Sequence, residues 1–243
     1  MRELLAPRWL AAHVVVVVVA VVFVNLGLWQ LGRLEERQLE NTVGEARYLA
    51  DPIALNDLLA ATQASDVDSL EYRRVIVDGA FIPSQEVLIR SQVYRGEAGF
   101  HVITPLLHRS GVVLVNRGWV PLVLDQVPVT QAPPPVGKVE VRGWLSLTEE
   151  RGPLGPEDPA GGRLTTMNRI DIDRIQQQII SPLAPLVINL LEDGEAGIPI
   201  AIAAPTFEDE GPHLAYAIQW FGFALIGIVG YFFLIRRTVK RSG

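Results

Sequence analysis

The chain has four histidines (His13, His101, His108 and His213) and no cysteine, so imidazole is its main candidate for metal or proton chemistry. His213 opens the run His213, Leu214, Ala215, Tyr216, Ala217, Ile218, Gln219, Trp220. On a helix, His213, Tyr216 and Trp220 fall at i, i+3 and i+7 and share one face, with Gln219 one position away. Two readings follow. The simpler is an interfacial belt, in which Tyr and Trp straddle the headgroup layer and a histidine is tolerated. The other is an axial ligand or docking group for a hydrophobic cofactor at the membrane surface, since neutral imidazole is a good iron ligand. Spacing alone leaves both open.

A second polar set, Asn25 and Gln30 with the small residue Gly27 beside Trp29, lies near the outer boundary of the N-terminal apolar run. Small and polar residues on a lipid-embedded helix mark helix–helix contacts, and packing the two runs together would bring Trp29, Gln30, His213 and Trp220 to one depth. His13 is expected at the opposite interface. His101 and His108 lie in strand-like sequence and are expected to be structural. Arg117, in Asn116-Arg117-Gly118-Trp119, is expected to be a buried arginine bonded to strand-end carbonyls, with a propionate or phosphate partner as the alternative.

Other chemistry is poorly represented. No HExxH, GxSxG, P-loop or GxGxxG pattern occurs, and enzymatic function is not expected. The acidic runs Glu149-Glu150 and Glu208-Asp209-Glu210 read as solvated faces. Absence of cysteine removes disulfides, thiolate zinc sites and covalent c-type haem attachment, and two methionines make copper delivery unattractive. A net charge of -6 argues against a nucleic-acid partner.

Two apolar blocks bracket the chain. The first, 9–31, contains six consecutive valines from Val14 to Val19; the second, 213–235, ends in Arg236-Arg237. At about 1.5 Å per residue either crosses a hydrocarbon core of roughly 30 Å as a helix, which satisfies its own backbone in the lipid bilayer. The first block is longer than a signal-peptide core and lacks a small-x-small cleavage site, so a retained anchor is expected. All but six of the 21 basic residues and all but one of the 27 acidic residues lie in 33–210. The six are Arg2, Arg8, Arg236, Arg237, Lys240 and Arg241, so the positive-inside rule expects both termini in the cytoplasm and an acidic exterior domain.

Within 32–212, short β-like runs begin near Tyr72: Arg74–Val77, Val87–Ile89, His101–Leu107, Val112–Val115, Val139–Leu147 and Leu186–Leu190. Gly79, Gly96, Gly99, Gly111 and Gly118 are expected at hairpin corners. Pro133–Pro135 and Gly152–Gly162 are expected as exposed loops. Leu34–Tyr48 is expected to continue the first helix, Leu55–Leu59 to form a capped helical turn, and Ile170–Ile179 a helix starting near Asn168 or Asp171. The expected architecture is a membrane protein with two transmembrane helices flanking a mostly antiparallel β domain, barrel- or sandwich-like, with minor helix. The expected segments are a cytoplasmic 1–8, spans 9–31 and 213–235, an extracytoplasmic domain 32–212 and a basic tail 236–243.

The motifs together resemble the Surfeit locus protein one family, assembly factors for cytochrome c oxidase. They are Leu26-Gly27-Leu28-Trp29-Gln30 with Arg33; Tyr72-Arg73-Arg74-Val75 and Gly79-Ala80-Phe81; Gly99-Phe100-His101-Val102-Ile103-Thr104-Pro105-Leu106; Val115-Asn116-Arg117-Gly118-Trp119-Val120-Pro121; and His213 to Phe221. Residues 122–200 match only loosely. The resemblance implies a role in maturing the haem–copper oxidase at the step where haem a reaches the catalytic subunit. His213 is then the implied haem ligand, and Tyr216, Gln219, Trp220, Trp29, Gln30 and Arg117 are the candidate surroundings. The implied partners are oxidase subunits in a bacterial plasma membrane. A different reading is a stable accessory subunit of the oxidase or of a respiratory supercomplex. A generic membrane-anchored sensor is a third, disfavoured by the short basic tail.

Overall fold

The computed structural model describes residues 6–153, 155–191 and 197–241. Arg2 and Glu3, used in the charge argument, lie outside the described residues, as does Leu154 in the Gly152–Gly162 loop. The chain divides into two units, one formed by 1–43 with 207–243 and the other by 44–206.

The first unit holds the two long helices. Helix α1 spans Pro7–Leu49 and its 43 residues reach about 65 Å, twice a hydrocarbon core, so it continues beyond the apolar block as its sequence suggests. Its polar continuation carries i,i+3 pairs Arg33–Glu36 and Arg37–Glu40. Helix α4, His213–Arg241, is the second. Both are long and apolar enough to cross a membrane, and their valine, leucine and phenylalanine side chains point outward with little burial, as lipid-facing helices require.

The second unit is a β domain. Its strands are β1 (Ile53–Ala54), β2 (Arg74–Phe81), β3 (Val87–Tyr94), β4 (Glu97–His108), β5 (Gly111–Pro121), β6 (Lys138–Ser146), β7 (Thr166–Met167) and β8 (Leu183–Leu190). They form one sheet in the order β1-β2-β6-β8-β5-β4-β3-β7. Pairing of Gly79, Ala80 and Phe81 with His108, Leu107 and Leu106 joins β2 to β4 and closes β2-β6-β8-β5-β4 into a five-stranded barrel. Most pairs are antiparallel; β5–β8, β1–β2 and β3–β7 are parallel. The six expected runs all fall in strands, except that Leu147 lies one residue past the end of β6, and only the two-residue β1 and β7 lacked a sequence signal.

One face of every barrel strand supplies the inner core: Val75 and Val77, Leu106, Val113 and Val115, Val141 and Leu145, Leu186 and Ile188, with Leu55 and Leu70 packed against them. Each such side chain contributes about 1.5–3 kcal/mol by leaving water. The opposite face of β5, through Val112 and Leu114, joins a second core with Val87, Ile103, Val187, Met167 and Ile175. Strand β5 is thus covered on both faces, which explains its unbroken apolar run.

Four local expectations are corrected. Helix α2, Leu55–Ala61, has Ala54 at its N-cap and no side-chain cap; Asn56 turns its Oδ1 to Ser110 and His108 instead. Helix α3 is only Ile172–Gln176, capped by Asp171, whose carboxylate accepts from the Arg174 amide. It stops because the Gln176 side chain donates to the Ile179 and Ser181 carbonyls and accepts from Leu183 N–H, drawing the chain into β8. Only Gly96 and Gly111 sit at hairpin corners. Gly79, Gly99 and Gly118 lie inside strands, where partner backbone crowds the space a Cβ would fill. Within the 133–135 loop, Pro134 is buried, and the preceding Ala132 is buried as well.

Candidate functional site

His213 is the first residue of α4, and its Nδ1 lies 2.9 Å from Oε1 of Gln30 on α1. The bond joins the two polar sets that the sequence placed at one depth. Below it the antiparallel helices approach closely because small residues face the partner. Ala217 and Ala224 are buried, and the Phe221 ring fills the space that a Cβ on Gly27 would need. Trp220 then packs on Phe23 with centroids 5.5 Å apart, and Phe223 adds an edge contact to Trp220.

On the polar side of His213 the chain turns at Gly211, whose φ is +68°. Its N–H donates to Asp209 Oδ1 at 2.8 Å, while the Asp209 carbonyl accepts from Asn41 of α1 at 3.0 Å. Gln38 donates to Glu210 at 2.9 Å. The acidic run is exposed, yet two of its members tie the turn to α1. A Cβ on Gly211 would stand 3.4 Å from both Nε2 and Cδ2 of His213, so a side chain at that position would lie against this ring edge.

Of the residues named from sequence, the structure brings His213 and Gln30 together and sets Trp220 on the same helix interface. Tyr216, Gln219 and Trp29 are exposed on the helix flanks and share no hydrogen bond with His213 among the described residues. The unit's other end carries a contact that sequence reading missed, His13 Nδ1 to Tyr231 hydroxyl at 2.6 Å. Tyr231 stands about five helical turns from His213 and therefore on the same face, a signal present in the sequence.

Arg117 lies in the β unit and is buried. Its Nη1 is 3.3 Å from Glu86 Oε2 and its Nη2 donates to the Ala132 carbonyl at 2.7 Å. Glu86, fully enclosed, also accepts from Thr104 Oγ1 and from Val129 N–H, both at 2.7 Å. Burial lowers the Arg117 pKa and Glu86 acts to raise it; a guanidinium stays charged through such shifts. Its charge is matched by Glu86 inside the fold, and the guanidinium is buried.

The other histidines are part of the β framework. Burial pushes the His101 pKa down to about 4, so the ring is neutral, and its Nδ1 lies 3.5 Å from Asn116 Nδ2. Asn116 continues to Asn189, and Asn189 to Ser146, a polar ladder crossing β4, β5, β8 and β6. His108, likewise lowered by burial, meets Asn56 at 3.0 Å.

Two helices joined by a His–Gln bond and a closed β-barrel between them in sequence are matched by a known family model, described as the SURF1 family, over residues 17–225. The chain belongs to the SURF1 family. It is 33% identical to an uncharacterised SURF1-like protein of Mycobacterium tuberculosis over 93% of this chain and 83% of that protein. A SURF1-like protein of Rickettsia felis is 25% identical over 94% and 98%, and Surfeit locus protein 1 of rat is 28% identical over 90% and 72%. SURF1 proteins are known as oxidase assembly factors. The SURF1 match covers the barrel and reaches into both helices, taking in Gln30 and His213.

Proposed function

We propose that this chain is a membrane-anchored assembly factor for the haem–copper cytochrome c oxidase, and that it holds haem a through His213 for delivery to the catalytic subunit. The supporting observation is the His213–Gln30 pair at the mouth of the helix pair. The residues present fit that group. A single histidine suits that group, because one imidazole is a common way for a protein to hold a haem iron. Directly below His213, the aromatic wall of Trp220 and Phe23 and the lipid-facing flank give a surface suited to an apolar ring. Haem a, if bound, would supply an iron for the His213 imidazole to ligate and a long apolar tail for the lipid-facing flank. The protein holds the imidazole in place, keeps its far edge clear at Gly211 and offers Tyr216, Gln219 and Trp29 as exposed flanking groups. Arg117 receives no part, since Glu86 already neutralises it.

Both termini are proposed to lie in the cytoplasm of a bacterial plasma membrane, with the β-barrel outside. The support is the basic cluster Arg236, Arg237 and Lys240 at the end of α4.

The test is a reduced-minus-oxidised visible spectrum of membranes from a strain lacking this chain. Loss of the haem a band with haem b retained supports the proposal. An undiminished haem a band with oxidase activity intact overturns it. Stoichiometric recovery with mature oxidase would instead mark a stable subunit.

A further inference from the structure

We infer that Gln30 decides which nitrogen of His213 is available for ligation and that Gly211 keeps that nitrogen accessible; this rests on the proposed haem reading. An amide oxygen only accepts, so at 2.9 Å from Gln30 Oε1 the hydrogen of a neutral His213 ring sits on Nδ1 and the lone pair on Nε2. Histidines that bind metals characteristically give their other N–H to such an acceptor, which fixes the ring and raises its basicity. Gln30 is therefore a positioning residue, acting through His213 rather than touching the ligand.

The bond links positions 183 apart in sequence, so it forms only when α1 and α4 are packed. His213 thereby becomes competent in the assembled helix pair and not in an isolated α4. The second device is the turn. Gly211 adopts a left-handed φ of +68° and the ring edge carrying Nε2 lies over it. A side chain there would start 3.4 Å from Nε2 and extend across the approach of a ligand. Asp209, bonded to the Gly211 N–H and through its carbonyl to Asn41, holds the turn in that position.

The experiment adds haem a to the detergent-purified full chain and reads the optical titration and the reduction midpoint. Gln30→Leu is expected to weaken haem a affinity about 10–100-fold, the usual cost of losing the partner of a ligating histidine. Gln30→Glu restores a stronger acceptor, so it is expected to recover affinity and to move the midpoint to more negative potential. Gly211→Asn, which tolerates the left-handed conformation, is expected to weaken binding while preserving the fold. Wild-type affinity in both Gln30→Leu and Gly211→Asn overturns the inference. So does a wild-type midpoint in Gln30→Glu, which keeps the test valid if Gln30→Leu fails to fold. His213→Ala separates the two levels. Its loss of binding alongside unaffected Gln30 and Gly211 variants sinks only this inference, whereas wild-type binding in His213→Ala sinks the haem reading itself.

Discussion

Replacing Glu86 by Gln removes one charge from the β-barrel unit with almost no change of shape. Glu86 accepts from Thr104, Val129 N–H and Arg117, and Arg117 has no second carboxylate among the described residues. The substitution leaves a buried guanidinium unpaired and turns an amide NH2 toward groups that can only donate or prefer to. Breaking a buried ion pair from one side costs about 3–5 kcal/mol, because the surviving charge keeps its desolvation penalty. For a unit of this size about 1 kcal/mol moves Tm by roughly 2–4 °C, so the sheet transition is expected to fall by about 6–20 °C. Thermal unfolding of the detergent-solubilised chain, followed by circular dichroism, measures it. The double variant Glu86→Gln with Arg117→Met is expected to lie above the sum of the two singles, since it removes the orphaned charge. A Tm change under about 2 °C for Glu86→Gln, or strict additivity in the double variant, would refute the claim that Arg117 is neutralised within the fold.

Acid sensitivity should trace in part to His101. Its folded pKa of about 4 lies below the ordinary 6.5, so between those values the unfolded chain binds a proton that the folded chain refuses. Stability is therefore lost as pH falls from about 6.5 toward 4, and His101→Gln should flatten the difference between denaturant midpoints at pH 7 and pH 5; an unchanged slope argues against it. Gly118 offers a steric test. A Cβ there would meet the Ile200 carbonyl oxygen at 2.1 Å with φ at +121°, so Gly118→Ala should destabilise the barrel by about 3 kcal/mol or more. Gly152→Ala, with nothing within 4 Å, should leave Tm unchanged. Equal Tm values for the two would contradict the geometry.

The strands were readable because they are short β-branched runs, and β5 announced its double burial through an unbroken Val and Leu sequence. Barrel closure was not readable. It depends on β2 meeting β4 at Gly79, where the Leu107 carbonyl comes within 2.6 Å of a would-be Cβ, a long-range contact that periodicity does not encode. Glu86 escaped notice for a similar reason, since a single acid beside Gln85 looks like surface until Arg117 is placed over it. The candidate site was more transparent. Helical spacing grouped His213 with Trp220, and depth in the bilayer paired the helix carrying Gln30 with the one carrying His213. Tyr216 shares the His213 side by spacing, yet the closer approach of Ala217 to α1 turns it outward, because the smallest side chains define the helix contact. The His13–Tyr231 contact was missed because His13 was read by its depth alone and not matched to a residue on the second apolar run.

The most direct measurement is the visible spectrum and haem a content of cytochrome c oxidase purified from a strain in which His213→Ala replaces the wild-type chain. The expected result is a depressed haem a content, with the variant protein still present in the membrane and the barrel's thermal transition unchanged. Oxidase at wild-type level with a normal haem a spectrum would contradict the assignment of His213 as the haem-holding group.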